Sequence, residues 1–191
     1  LLWSLNVVDL NLGDTQLIIK ECARQGLSKA HTAYVLATAR WETAHTMKPV
    51  REAYWLSEEW RKKNLHYWPW YGRGYVQLTW ESNYVKAGKK LGMDLTTDPD
   101  VVMKPDIAVK ILVSGMKEGW FTGKKMSDYA TYEDMRKVVN GNDKKKEIAD
   151  LARAYEKALP DAKVEKGEVK SGTNALYEAL LRLLNKLFGV K

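Results

Sequence analysis

The sequence predicts a mainly α-helical domain with one small β element. Its 191 residues, 45% of them hydrophobic, suffice for one domain with a substantial core. Several stretches place apolar residues three and four positions apart and are bounded by residues that cap helices. One short stretch, YGRGYVQLTWESNY at 71–84, opens on a glycine-framed turn and then alternates like a strand.

Six stretches have the apolar spacing and the end signals of helices. The second is capped by Ser28 and carries Glu42 in its last turn, and the third ends at Gly92. We expect a loop or short helix over 51–63 and a turn over 98–103. The predicted helices cover 15–25, 29–45, 81–91, 105–115, 132–139 and 146–159.

The stretch at 71–84 predicts a small antiparallel hairpin. Gly72 and Gly74 frame Arg73, which is typical of a tight turn. The residues that follow alternate in character, as they do in a half-buried strand. This pattern places Tyr75, Gln77 and Thr79 on one face and Val76, Leu78 and Trp80 on the other.

The chain divides into three predicted parts. Because Pro160 ends the compact pattern, we expect a compact domain over 1–160 and a charged linker over 161–173. The remaining residues, 174–191, predict a basic amphipathic helix. That helix could pack back on the domain, lie on an anionic membrane or lipopolysaccharide surface, or pair with a partner or second copy. We expect the protein to be a monomer.

Composition restricts the partners and the compartment. A net charge of +7 and an isoelectric point of 9.3 favour an anionic partner. The basic residues are scattered and form no nucleic-acid-binding stripe, so we expect no nucleic acid. The single cysteine, Cys22, excludes an internal disulfide and permits folding in a reducing cytoplasm. The segment LLWSLNVVDL lacks the basic start of a signal peptide, and no apolar run approaches the ~18 residues of a membrane span.

The histidines and the cysteine predict no metal site. His31, His45 and His66 do not show the spacing of metal ligands, and one cysteine cannot build a structural zinc site. We therefore expect neither a metal nor a cofactor.

Two carboxylates in the aromatic-rich region 41–80 have the settings of an acid and a base. Glu42 follows Trp41 at the end of an apolar helix, where partial desolvation favours the protonated form that a general acid needs. Glu52 follows Arg51, and this basic setting favours the ionised form that a general base needs. Such a pair is typical of glycoside hydrolysis, although a glutamate near a helix end and a glutamate in a loop are more often ordinary surface residues.

Three short motifs follow one another in the chain. Residues 41–44 read WETA, residues 71–79 read YGRGYVQLT, and residues 138–141 read VVNG. In this order the motifs resemble those of glycoside hydrolase family 19, which contains chitinases and related bacteriophage endolysins. The resemblance extends over about 32–159.

The sequence departs from the family pattern at a few positions. Tyr75 stands where the family has a small residue or proline, and Trp41 and Ala44 replace a histidine and a glycine. An arginine near the end of the family's helical core has no clean counterpart, and Arg153 is the nearest candidate.

The resemblance implies a lysozyme-like, two-lobed helical fold with a cleft between the lobes. It also implies inversion by single displacement, with Glu42 as the general acid and Thr79 helping the base to position the attacking water. Glu52 matches the base, with Glu58 and Glu59 as alternatives. The two carboxyl groups should then lie ~6.5–9.5 Å apart. The residues assigned to substrate binding are Gln77, Asn83, Tyr71, Arg73 and Asn140.

Within the family, the single cysteine and the short stretch between Glu42 and 71–74 favour an endolysin over a plant-type chitinase. The implied substrate is peptidoglycan, cut at its β-1,4 bonds. The protein would be made in the host bacterial cytoplasm, act in the periplasm and release phage progeny by lysis. The alternatives are a chitinase with the same machinery, a catalytically inactive wall-binding module and, least favoured, a nucleic-acid binder.

Overall fold

The structure, a computed structural model, describes residues 8–161, which form a mainly helical domain. The predicted α class is confirmed. The predicted C-terminal helix at 174–191, and all but the first residue of the predicted linker, lie outside the described residues. The α-helices are α1 (Thr15–Arg24), α2 (Lys29–Glu42), α3 (Glu58–Asn64), α4 (Glu81–Leu91), α5 (Pro105–Glu118), α6 (Tyr132–Met135) and α7 (Lys145–Ala158).

The helix ends follow local signals in the sequence. The Ser28 hydroxyl accepts a hydrogen bond from the backbone N–H of His31, and the Ser57 hydroxyl caps α3 in the same way. α4 ends at Gly92, which adopts the left-handed conformation. The predicted helix at 132–139 is divided into α6 and a 3-10 turn at Arg136–Val138. Further 3-10 turns lie at Pro99–Met103 and Met126–Asp128.

α2 is the central helix of the core. Nine consecutive residues, 32–40, are buried, so the helix is enclosed on all sides along most of its length. α7 packs along α2, and α1 and α5 also contact it. Because the last residue of α2 is Glu42, this buried helix fixes the place of a candidate catalytic carboxylate.

Two very short strands form the β element. β1 (Val50–Arg51) pairs antiparallel with β2 (Arg73–Gly74), with Val50 opposite Gly74. The strands are joined by a segment that includes α3, so the element is a two-stranded sheet and not a tight hairpin. The prediction of a small antiparallel β element is confirmed, but its two strands are not joined by a tight turn.

The prediction that residues 75–80 continue as an alternating strand is wrong. Gly74 and Gln77 have φ angles of +84° and +55°, and these reverse the chain where a strand would be extended. The backbone N–H groups of Arg73 and Leu78 each donate to the other's carbonyl, which closes the turn. As a result Tyr75, Val76 and Leu78 are all buried, although the alternation assigned them to opposite faces.

A loop before α1 anchors the segment that follows Glu42. The backbone N–H of Asp14 donates to the carbonyl of Met47 at 2.8 Å, and the Tyr75 hydroxyl donates to Asp14 Oδ2 at 2.6 Å. Gly13 permits this approach, because a Cβ at Gly13 would lie 2.5 Å from the Thr46 carbonyl oxygen.

Within residues 8–161, no helix has the length and apolar character needed to cross a membrane.

Replacing Gly13 should therefore cost more than replacing a glycine in open space. Gly26→Ala meets no atom within 4 Å, so we expect it to lose about 1 kcal/mol of unfolding free energy through its φ of +71°. Gly13→Ala carries a similar penalty at φ +51°, and the backbone clash adds roughly 1–3 kcal/mol. Urea denaturation measures both variants, and equal losses would contradict the anchoring role of Gly13.

Candidate active site

Glu52 is held by hydrogen bonds to both of its carboxylate oxygens. Oε2 accepts the backbone N–H of Gly72 at 2.9 Å, and Oε1 accepts the Tyr67 hydroxyl at 2.6 Å. Burial and this hydrogen bond to Glu52 raise the pKa of Tyr67 to about 12. Tyr67 therefore remains protonated at neutral pH and keeps donating. The backbone N–H of Glu52 also donates to the Gly72 carbonyl, which extends the pairing of the two strands.

The buried guanidinium of Arg61 fixes the backbone that carries Glu52. Its Nε donates to the Glu52 carbonyl and its Nη2 to the Ala53 carbonyl, both at 2.8 Å. Ala53 has a φ of +49°, which an L-residue adopts at a cost. Arg61 is 5% exposed and satisfies the two carbonyls at this turn. It is therefore a positioning residue for Glu52.

Three side-chain oxygens converge beside Gly72. A Cβ at that position would lie 3.3 Å from Glu52 Oε2, 3.3 Å from Thr79 Oγ1 and 2.8 Å from Gln77 Oε1. The absence of a side chain at Gly72 thus leaves these oxygens facing a shared space. The structure brings together three residues that the sequence assigned separately to the base, the water-positioning residue and the substrate-binding group.

The turn that carries these groups is held by its own side chains. Gln77 Nε2 donates to the Val50 carbonyl at 3.1 Å, and Thr79 Oγ1 donates to the Gln77 carbonyl at 2.8 Å. Asn83 Nδ2 donates to the Thr79 carbonyl, also at 2.8 Å. Since the Thr79 hydroxyl hydrogen is already used, its oxygen lone pairs remain to accept a further hydrogen bond.

Glu42 lies at the end of α2 and forms an ion pair with Arg136. Arg136 Nη1 lies 2.9 Å from Glu42 Oε1, and the two side chains are 2% and 18% exposed, respectively. Arg136 Nε donates to the Asp143 carbonyl at 3.0 Å, so the guanidinium is fixed from two directions. The sequence predicted that Trp41 would shield this carboxyl, but the structure instead shows a charged partner.

Sequence reasoning missed Arg136, as it missed Tyr67 and Arg61 around Glu52. The nearest candidate for the family's arginine, Arg153, is half-exposed and pairs at the surface with Glu133 and Asp150. The sequence around Arg136 contains only a weak indication of its role. Arg136 lies between Met135 and Val138, which are both buried, and a buried cation needs a partner.

The two alternatives for the base are placed differently from Glu52. Glu58 accepts hydrogen bonds from Trp68 Nε1 at 2.7 Å and from the Tyr71 hydroxyl at 2.8 Å. Burial acts to raise the pKa of Glu58, but these hydrogen bonds and the charge of Arg61 outweigh it, so the pKa is lowered. Glu59 is exposed. The geometry therefore favours Glu52 as the carboxylate that faces Thr79.

Tyr71 and Arg73 do not offer the surface that direct substrate binding requires. They are 1% and 3% exposed, and the Arg73 guanidinium lies 3.6 Å from the centroid of the Tyr71 ring. Arg73 Nε also binds Asp100 Oδ1 at 2.8 Å. Their assignment to substrate binding is thus corrected. Both side chains are buried and pack beneath the turn that begins at Arg73.

Asn140 is exposed, and its backbone N–H donates to the Arg136 carbonyl at 2.9 Å. Its predicted place in a substrate cleft stays a prediction, as does the separation between the carboxyl groups of Glu42 and Glu52.

Among residues 8–161, no three His, Cys, Asp or Glu side chains are grouped so that they could hold a metal ion.

The contributions of Arg136 and Glu42 to the unfolding free energy should be strongly coupled, because the two side chains form an ion pair. We expect Arg136→Met to lower the unfolding free energy by about 3–5 kcal/mol, because it leaves the Glu42 carboxylate without its buried partner. Adding Glu42→Gln should recover part of this loss, since the unpaired charge is then removed. A double-mutant cycle by urea denaturation measures the coupling, and simple additivity of the two losses would contradict the expectation.

Comparisons with known proteins identify the family of this chain. The profile of the chitinase class I family, glycoside hydrolase family 19, matches residues 33–148. An endochitinase of Arabidopsis thaliana is 55% identical over 40 residues, which are 20% of this chain and 14% of that protein. Chitinase 5 of Oryza sativa subsp. japonica is 37% identical over 90 residues, 44% of this chain and 31% of that protein. The inactive chitinase-like protein 1 of Hevea brasiliensis is 52% identical over 33 residues, 17% of this chain and 10% of that protein.

The matches thus span less than a third of the length of these relatives. Among solved structures, chitinase C from Streptomyces griseus HUT6037 aligns with a TM-score of 0.44 at 19% identity, covering 89% of this chain and 65% of that chain. The family match includes Glu42, Glu52, Thr79 and Arg136 and extends over more than half of the sequence. The chain therefore belongs to the chitinase class I family of glycoside hydrolases.

Proposed function

We propose that this protein hydrolyses β-1,4 bonds in a polymer of N-acetylated amino sugars, with a chitin-type glycan as the first candidate substrate. The observation that carries the proposal is the convergence of Glu52, Thr79 and Gln77 beside Gly72. Family membership and the chitinase names of the matched relatives support the substrate class.

The proposed base is Glu52, acting on a water molecule that it holds together with Thr79. The water donates one hydrogen bond to Glu52 Oε2 and one to Thr79 Oγ1, which leaves an oxygen lone pair for attack on the anomeric carbon. Glu52 takes the water's proton as the new C–O bond forms. Tyr67 and Arg61 keep the carboxylate and its backbone in place during this step.

The proposed acid is Glu42. Its Oε1 is engaged by Arg136, so its Oε2 is the oxygen left to carry the proton to the departing glycosidic oxygen. That proton balances the charge on the leaving group as the glycosidic bond breaks. Attack and departure occur on opposite faces of the sugar, and the product has inverted configuration.

A second candidate is an endolysin that cleaves the β-1,4 bonds of peptidoglycan. The observation in its favour is the net charge of +7, since bacterial envelopes are anionic. In that case the protein would be made in the cytoplasm of a phage-infected bacterium, act in the periplasm and cause host lysis. The segment 174–191 would then bind anionic lipid or lipopolysaccharide.

The first experiment compares wild type and Glu42→Gln on chitin oligosaccharides and on purified Gram-negative peptidoglycan. Fragments are identified by mass spectrometry, and the anomeric configuration of early products by NMR. We expect hydrolysis of chitin oligosaccharides with inversion, and a loss of about 10²–10⁴-fold in rate for Glu42→Gln, because general acid catalysis contributes on that order.

The substrate distinguishes the candidates. Cleavage of peptidoglycan alone would replace the first candidate by the endolysin. Binding of either glycan without cleavage would indicate an inactive module, as the name of one matched relative suggests for that protein. A product that retains its configuration would rule out the mechanism described above.

The space beside Gly72 allows a second test. Gly72→Ala places a methyl group within 3.3 Å of Glu52 Oε2 and Thr79 Oγ1, where the attacking water would bind. We expect kcat to fall by about 100-fold or more, because misplacement of a reacting group by an ångström costs on that order. KM should rise as well, because the same methyl group lies 2.8 Å from Oε1 of Gln77, which is assigned to substrate binding. The Tm should fall by only a few degrees.

Gly26→Ala is the matched control for this variant. It lies before α2, at the opposite end of that helix from Glu42, and loses stability through its positive φ alone. We expect its kcat/KM to equal that of wild type. Wild-type turnover by Gly72→Ala would show that the water is bound elsewhere.

A further inference from the structure

Trp80 occupies a position that local structure disfavours for tryptophan. Its φ and ψ angles are 76° and 135°, outside the regions that L-residues with bulky side chains normally adopt. It is also the N-cap of α4 but supplies no capping side-chain hydrogen bond. The side chain is 48% exposed, so burial does not account for the choice either. Such a conflict with local preferences is expected at functional positions.

The indole is held against the aromatic residues that support the candidate base. Its ring centroid lies 4.8 Å from that of Tyr67 and 5.3 Å from that of His66. Tyr67 in turn donates its hydroxyl hydrogen bond to Glu52. The backbone N–H of Trp80 donates to the Trp70 carbonyl at 2.8 Å, which fixes the strained backbone. The half-exposed indole therefore contacts the tyrosine that binds Glu52, and it directly follows Thr79 in the sequence.

We propose that the exposed surface of Trp80 stacks against a sugar ring of the glycan bound at this site. The inference rests on the proposed function and assigns one binding contact within it. A β-1,4-linked pyranose has an apolar face of C–H groups, and the face of an indole offers the flat, polarisable surface that such a ring packs against. Because Tyr67 and His66 hold the indole on one side, little side-chain entropy remains to be lost on binding.

A purely structural role for Trp80 makes a different prediction. Asparagine is among the best N-cap residues and tryptophan supplies no cap, so Trp80→Asn should add a capping hydrogen bond to α4. If the tryptophan serves glycan binding, this variant keeps or raises the Tm and binds glycan more weakly. If it serves packing, stability falls when the ring is removed.

Binding is measured in the Glu42→Gln background, so that hydrolysis does not consume the ligand. The probes are N-acetylglucosamine hexasaccharide and peptide-free peptidoglycan strands, titrated by calorimetry. We expect Trp80→Asn to raise the Kd of the bound glycan by roughly 5- to 15-fold, the range of one aromatic stacking contact. Trp80→Phe retains a ring and should stay within about 3-fold.

Trp60→Ala is the matched control. Trp60 is 38% exposed on α3, and the hydrogen bonds that it makes with Ser57 and Asn64 use its backbone. We expect its Kd to be unchanged. Three results would overturn the proposal: an unchanged Kd in Trp80→Asn, a parallel loss of binding and Tm, or no binding of either glycan. Binding that depends on Trp80 without hydrolysis by the wild type would refute the proposed function and leave the stacking contact standing.

Discussion

The ion pair between Glu42 and Arg136 is the constraint that ties the candidate active site to the helical core. It joins the end of the most buried helix to a turn 94 positions later, and the arginine is almost inaccessible to solvent. Burying a guanidinium is costly unless its donors are satisfied, and here the carboxylate and the Asp143 carbonyl satisfy two of its nitrogens. The carboxylate at position 42 therefore supplies the charged partner of this buried guanidinium, whatever chemistry that carboxylate performs.

Glu52 is held in a different way. Its donors are neutral, a phenol and a backbone amide, and they come from the same segment of chain as the carboxylate itself. This segment also contains most of the backbone strain. Of the seven non-glycine residues with positive φ in the described part of the chain, six lie within 44–80, which is typical of a functional site. These six are Ala44, His45, Met47, Ala53, Gln77 and Trp80.

The contrast explains what could be predicted from the sequence. The helices α2 and α4 have apolar spacing and an end signal within a few residues, Ser28 before α2 and Gly92 after α4, so local reasoning located them. The turn at 75–80 was wrongly predicted as a strand, because alternation cannot reveal that Gln77 adopts a positive φ. Arg136 was missed because its partner is distant in sequence. Tyr71 and Arg73 were predicted to bind substrate, but both are buried, and Arg73 pairs with Asp100, which is distant in the sequence.

The two carboxylates are held by different parts of the chain, so substitutions in one part do not affect both of them equally. Residues 53–70 fold back on Glu52 through Arg61 and Tyr67 and expose Tyr54 and Trp55, whereas Glu42 is fixed by the helical core. Neither Glu42 nor Arg136 lies in this segment, so a change at its exposed positions leaves their ion pair intact. Glu52 instead depends on this segment, because Arg61 and Tyr67 belong to it.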